Sequence, residues 1–119
     1  MYNIYEREVF RLDAQLKKGL LDMCVLAELC RGDSYGYRIQ KDISEHVTLS
    51  ESALYHILKR QEQAGHVTAR SVEHDGRLRR VYSITDSGRK RLMEFRDEWQ
   101  QAMKAFEFIE RAANYNDEE

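Results

Sequence analysis

YGYRIQKDISEHVTLSESALYHILKRQEQAGHV, residues 35–67, decides the fold, and HDGRLRRVY, residues 74–82, completes it. Ile39, Ile43 and Val47 recur every four residues, the spacing of one helix face, and Ser34 stands where a cap is wanted. A short break then leads to Ser50, a good N-cap, with Glu51 in the first turn to complement the helix dipole. The helix that follows carries Leu54, Ile57, Leu58 and Gln61 on one face and stops at Gly65.

VTARSVEH and RLRRVYSI flank Asp75-Gly76, a strong two-residue hairpin signal. Pairing outward from that turn sets Val67 opposite Ile84 and Ala69 opposite Tyr82, which makes an apolar face toward the helices. Thr68, Arg70, Val81 and Ser83 take the outer face. Arg77, Arg79 and Arg80 are expected at the far end, beyond any core.

Upstream, LKKGLLDMCVLAELC (16–30) is apolar on nearly every face, so this helix should be buried on more than one side. Residues 1–15 precede it as an extension, expected to be helical. Downstream, Thr85 and Asp86 open a last helix in which Leu92, Phe95, Trp99, Met103 (or Ala102), Phe106 and Ile109 recur at three or four residues. It is expected to end near Ala113, with residues 114–119 frayed. The fold class is mainly α with a small β-hairpin: a winged helix-turn-helix over 16–85, then a long C-terminal dimerisation helix over 86–113.

At 119 residues the chain is one domain by length. No apolar run approaches the roughly 20 residues of a membrane span. MYNIYEREVFRLD lacks the basic and apolar regions of a secretory signal, so a cytoplasmic protein without membrane contact is the expectation. Cys24 and Cys30, six apart in one helix, point to different faces and are read as reduced core thiols. Neither they nor the four widely spaced histidines make a metal-ligand pattern, and no nucleophile–base pair or phosphate-binding loop appears. No enzyme, metal or cofactor is expected; a metal-sensing repressor using Cys24, Cys30 and a histidine is the weaker alternative.

The net charge is −2, but Arg31 to Arg91 holds 12 basic and 8 acidic residues, net +4, and the flanks together are net −6. A basic middle between acidic ends suggests that one region meets a polyanion. In a winged helix the third helix enters the major groove of double-stranded DNA and the wing touches its backbone, so arginines at the wing tip face phosphates. A winged-helix protein-interaction module is the alternative, though it has little use for three arginines beside a basic helix.

KGLLDMCVLAEL (18–29), YGYRIQKDI (35–43), LSESALYHILKRQEQAG (49–65) and GRLRRVYSITDSGR (76–89) resemble the PadR family of bacterial transcriptional regulators, in its short class. The resemblance implies a homodimer that binds operator DNA, most often as a repressor, and is released by a small aromatic or xenobiotic ligand. Carried over residue by residue, it places Tyr35, Tyr37 and Lys41 on the second helix near phosphates, packing serving Tyr37 equally well. Ser50, Ser52, Tyr55, Lys59 and Arg60 fall on the third helix, with the last two on its exposed flank. Arg77, Arg79 and Arg80 fall on the wing, and Tyr82 reads as core. His56 and Leu78 stand where the family has proline, and His56 adds a donor that could reach DNA. Gln61 and His66 stand where it prefers leucine, so a weakened seal between helix and wing, or a different partner, is expected there.

The apolar stripe of the last helix is too long for this chain to cover. Leu20, Leu92, Phe95, Trp99, Met103, Phe106 and Ile109 are therefore expected at a dimer interface. Trp99, the only tryptophan, is the candidate effector contact, since a flat aromatic surface suits a planar ligand.

Overall fold

The computed structural model describes residues 14–117, so the expected N-terminal extension lies almost wholly outside the described residues. The order is α1 (Ala14–Cys30), β1 (Ser34–Tyr35), α2 (Gly36–Ser44), α3 (Glu51–Gln63), β2 (Val67–His74), β3 (Arg77–Ile84) and α4 (Asp86–Asp117). Helices α1, α2 and α3 close on a core of Val25, Leu26, Leu29, Ile39, Leu54 and Leu58, which Val67 and Tyr82 seal from the sheet.

Local chemistry accounts for α3. Ser50 is extended, and its Oγ accepts from the Ala53 amide at 3.2 Å. Leu54, Ile57, Leu58 and Gln61 are buried, as their spacing predicts. Gly65 ends the helix at φ 79°, a left-handed conformation suited to glycine. The hairpin also has the expected register, Val67 opposite Ile84 and Ala69 opposite Tyr82. Its turn sets Asp75 at φ 51° and Gly76 at φ 76°, the paired positive values of a type I′ turn.

Two expectations fail at α2. Ser34 does not cap it: Ser34 and Tyr35 form β1, pairing with Tyr82 and Val81 of β3 in a three-stranded antiparallel sheet of order β1-β3-β2. The ladder holds residue 34 in the strand, its Oγ buried without a partner, and the helix starts at Gly36. Val47 is not on α2 either, because the His46 and Val47 amides both return to the Ile43 carbonyl and close the helix. Leu49 is buried in its stead, and Gln40 Nε2 donates to the Leu49 carbonyl at 3.1 Å.

Helix α4 begins at a junction of three elements. The Thr85 hydroxyl donates to the Gly65 carbonyl at 2.7 Å and accepts from the Gly88 amide at 3.0 Å, while the Thr85 amide bonds the His66 carbonyl. Leu92 and Phe95 pack in part on the core through the contact of α4 with α1. Beyond them the helix runs to Asp117, past the expected end at Ala113, and its 32 residues span about 48 Å at 1.5 Å per residue. Cys24 and Cys30 are free and half-buried; burial pushes the Cys24 thiol up. Among the described residues, no helix is long and apolar enough to cross a membrane.

Candidate nucleic-acid interface

With one side of α3 committed to the core, the opposite side carries Ser52, Tyr55, His56 and Lys59, all exposed, below the Ser50 cap. Tyr55 leans back across to the start of α2, its hydroxyl 2.8 Å from where a Cβ on Gly36 would stand. Tyr37 and Lys41 are exposed on α2. Tyr35 is half-buried, and the Arg79 guanidinium lies 3.8 Å from its ring centroid. Tyr55, Gly36, Tyr35 and Arg79 thus form an unbroken line from α3 to the wing formed by β2 and β3.

The three wing arginines do not share one environment at the tip, because successive strand residues face opposite sides of a sheet. Arg79 lies on the outer face, against Tyr35. Arg80 lies on the helix side, where its Nη2 donates to both Glu62 carboxylate oxygens at 3.2 Å, and its guanidinium sits 5.8 Å from the Tyr82 ring. The Glu62 carboxylate raises the pKa of that guanidinium further, and burial raises that of the Tyr82 phenol. Arg77 alone stands at the turn, beside an exposed Leu78.

Arg60 is likewise not free on the flank of α3. It is paired with Asp22 of α1, and its Nε is buried without a partner. At Gln61 and His66, where the resemblance implies a weakened seal or a different partner, the two polar side chains bond to each other. Gln61 Nε2 donates to the Asp22 carbonyl at 3.4 Å, which leaves Oε1 to accept from His66 Nδ1 at 2.9 Å. Arg70, not singled out by the sequence, donates to Ser83 Oγ at 2.8 Å and Asp33 Oδ2 at 3.1 Å, tying the wing to the turn before β1. Among the described residues of α2, α3 and the hairpin, Lys41, Lys59 and Arg77 are the exposed Lys and Arg residues outside every ion pair and ring stack. Strand alternation could have separated Arg79 from Arg80. No local signal could have found Glu62 or Asp22, which lie 18 and 38 residues from their partners.

On α4, Leu92 and Phe95 give part of their surface to their own core, which narrows what they can offer a second chain; Leu20 on α1 is half-buried as well. Trp99, Met103, Phe106 and Ile109 are exposed. The Phe95 and Trp99 rings stack with centroids 6.1 Å apart and planes at 19°. Leu92, Met93, Phe95, Arg96 and Trp99 line an open depression of about 360 Å³ there. Among the described residues, no group of three or more His, Cys, Asp or Glu is arranged to hold a metal ion.

The chain is similar to several solved structures. A protein of Streptococcus mutans is 40% identical, with 72% of this chain and 81% of that one covered and a TM-score of 0.67. A PadR family transcriptional regulator of Eggerthella lenta is 27% identical over 85% of this chain and 90% of its own, with a TM-score of 0.74. Bacillus subtilis PadR, solved in complex with operator DNA, is 25% identical, covered over 64% of this chain and 46% of its own, with a TM-score of 0.60. Residues 25–94, more than half of the chain, match the transcriptional regulator PadR-like family. On that match, and with the winged helix seen here, the chain belongs to the PadR-like family of transcriptional regulators.

Proposed function

We propose that this regulator binds double-stranded operator DNA as a homodimer, acts as a repressor, and is released by a small planar aromatic ligand. The observation that carries the DNA reading is the set of unpaired cations. Lys41, Lys59 and Arg77 lie on the three elements that a winged helix presents to DNA, around the exposed Ser52, Tyr55 and His56. The likeness to Bacillus subtilis PadR, solved on operator DNA, supports it. Tyr35 with Arg79, Tyr37 and Ser50 complete the surface. Arg60 and Arg80, held by Asp22 and Glu62, act behind it.

The exposed stripe from Trp99 to Ile109 supports the dimer, because one chain leaves it uncovered. Two recognition helices then approach a pseudo-palindromic site with half-sites about one helical turn apart. The stacked Phe95–Trp99 pair beside an apolar depression supports a flat aromatic effector. Release requires tighter binding of that effector to one dimer arrangement than to the other.

The test is titration of the purified protein against its own promoter DNA, followed by fluorescence anisotropy at several salt concentrations. Lys59→Ala and Arg77→Ala should each weaken binding and lower the slope of log K against log salt by about 1. Unchanged binding in both variants refutes the surface. Quenching of Trp99 by the effector over the concentrations that dissociate DNA tests the release, and a Trp99→Ala dimer that still responds refutes its site.

A further inference from the structure

The last turn of α3 commits three consecutive side chains to neighbouring elements. Arg60 goes to Asp22 on α1, Gln61 to the Asp22 carbonyl and His66, and Glu62 to Arg80 on the wing. The first two bolt α3 to the scaffold and to the root of the hairpin. The third is different, because Glu62 meets the wing halfway along β3, opposite the level where Arg79 covers Tyr35 on the other face. The wing is therefore gripped from both sides at residues 79–80. From that level outward Ser71 to Leu78 are exposed, with Ser71 and Val72 opposite Arg80 and Arg79 and the others paired with one another or in the turn.

We infer that Glu62 is a positioning residue: its two-oxygen grip on Arg80 fixes the wing's angle to the recognition helix and keeps that arginine off DNA. Two features favour this over a merely stabilising ion pair. Both partners keep solvent contact, with side chains 32% and 56% exposed, and such pairs add little to folding. The geometry also gives leverage. The turn at Asp75-Gly76 lies four residues beyond the grip, about 13 Å at 3.3 Å per residue, so a 10° swing at the grip carries Arg77 roughly 2 Å. That distance is enough to make or break a phosphate contact.

A second consequence concerns charge. Freed from Glu62, Arg80 becomes one more cation able to meet phosphate. It would strengthen binding to any DNA while the loosened wing weakens the preference for one site. The part of the inference that concerns DNA rests on the function proposed above; the part that concerns the wing does not.

The experiment compares the parent with Glu62→Gln and with the exchanged pair Glu62→Arg plus Arg80→Glu. Backbone order parameters of Ser71–Leu78 are measured by NMR without DNA, and salt-dependent affinities are measured for promoter and random DNA. Glu62→Gln should lower the wing's order parameters, raise the salt slope on random DNA by about 1, and cut the promoter-to-random ratio about threefold or more. The exchanged pair should restore the wing's order. Unchanged order parameters in Glu62→Gln overturn the grip, whatever DNA does. Lowered order with unchanged slope and ratio overturns Arg80's exclusion from DNA. If no protein binds DNA, the function proposed above fails, and the order parameters alone decide the grip.

Discussion

Replacing Gly88 by alanine should destabilise this protein even though Gly88 sits in a helix, where alanine is ordinarily favoured by about 1 kcal/mol. Gly88 is buried in the first turn of α4, against His66 in the link between α3 and β2 and Ile84 at the end of β3. A Cβ there would lie 2.3 Å from the His66 carbonyl oxygen and 2.8 Å from Ile84 Cγ1. An ordinary carbon–oxygen contact is near 3.3 Å, so methyl and carbonyl must part by about 1 Å. The obstacle is backbone, and that carbonyl already accepts from the Thr85 amide at 3.0 Å. Overpacking costs about 1–3 kcal/mol and loss of the hydrogen bond about 1 more. Set against the helix gain, the net loss is about 1–3 kcal/mol. At roughly 4 °C per kcal/mol for a chain of this size, Tm should fall about 4–12 °C. Gly19 in α1 is the matched control, with no atom of the described residues within 4 Å of its added Cβ, and Gly19→Ala should gain about 0.5–1 kcal/mol. Urea unfolding followed by circular dichroism, at one protein concentration, measures both. A Gly88→Ala protein as stable as the parent would refute the packing argument at the junction.

Arg60→Ala should lower the urea midpoint by uncovering Asp22, whereas Lys59→Ala should leave it unchanged, and midpoints that move together would show that Arg60 is not a bolt. Phe106→Asp should give a monomer in sedimentation at micromolar concentration with its helix content retained; a dimer would place the interface elsewhere. Glu28's carboxyl is held above its ordinary value, first by burial and then by Asp42, with Arg31 and Arg38 offsetting part. The folded state therefore binds that proton more tightly than the unfolded one, and the contribution of Glu28 to stability falls as pH rises from the ordinary carboxylate value through the raised one. Glu28→Gln should remove that loss, which unfolding free energies measured between acid and neutral pH will check.

What could be read in the sequence was local chemistry. Ser50 and Gly65 are a cap and a stop whose reasons lie within one helical turn, and Asp75-Gly76 fixes the hairpin register without outside help. Ser34 stands where a cap is wanted, but the ladder that claims it comes from Tyr82, far along the chain. Val47 fits the helix period, yet the chain turns at Ile43 and Leu49 enters the core. At the candidate site the residue types were legible and their partners were not. Arg60 and Arg80 look like surface cations until Asp22 and Glu62 are brought to them by packing. Gln61 and His66 look like flaws in an apolar seal until each is seen to satisfy the other.

The crowding of bonds into Arg60, Gln61 and Glu62 leaves the exposed positions of the preceding turns without scaffolding duties. Ser52, His56 and Lys59 hold no described partner that the fold requires, so substitutions there are nearly neutral for folding. A lineage carrying this architecture can drift in operator preference by changing those positions one at a time, each intermediate folding as well as its ancestor. Mutations in the last turn, by contrast, meet the fold before they meet DNA. Divergence of binding sites among such regulators should therefore be written at the exposed positions of α3 up to Lys59, with its last turn held nearly constant.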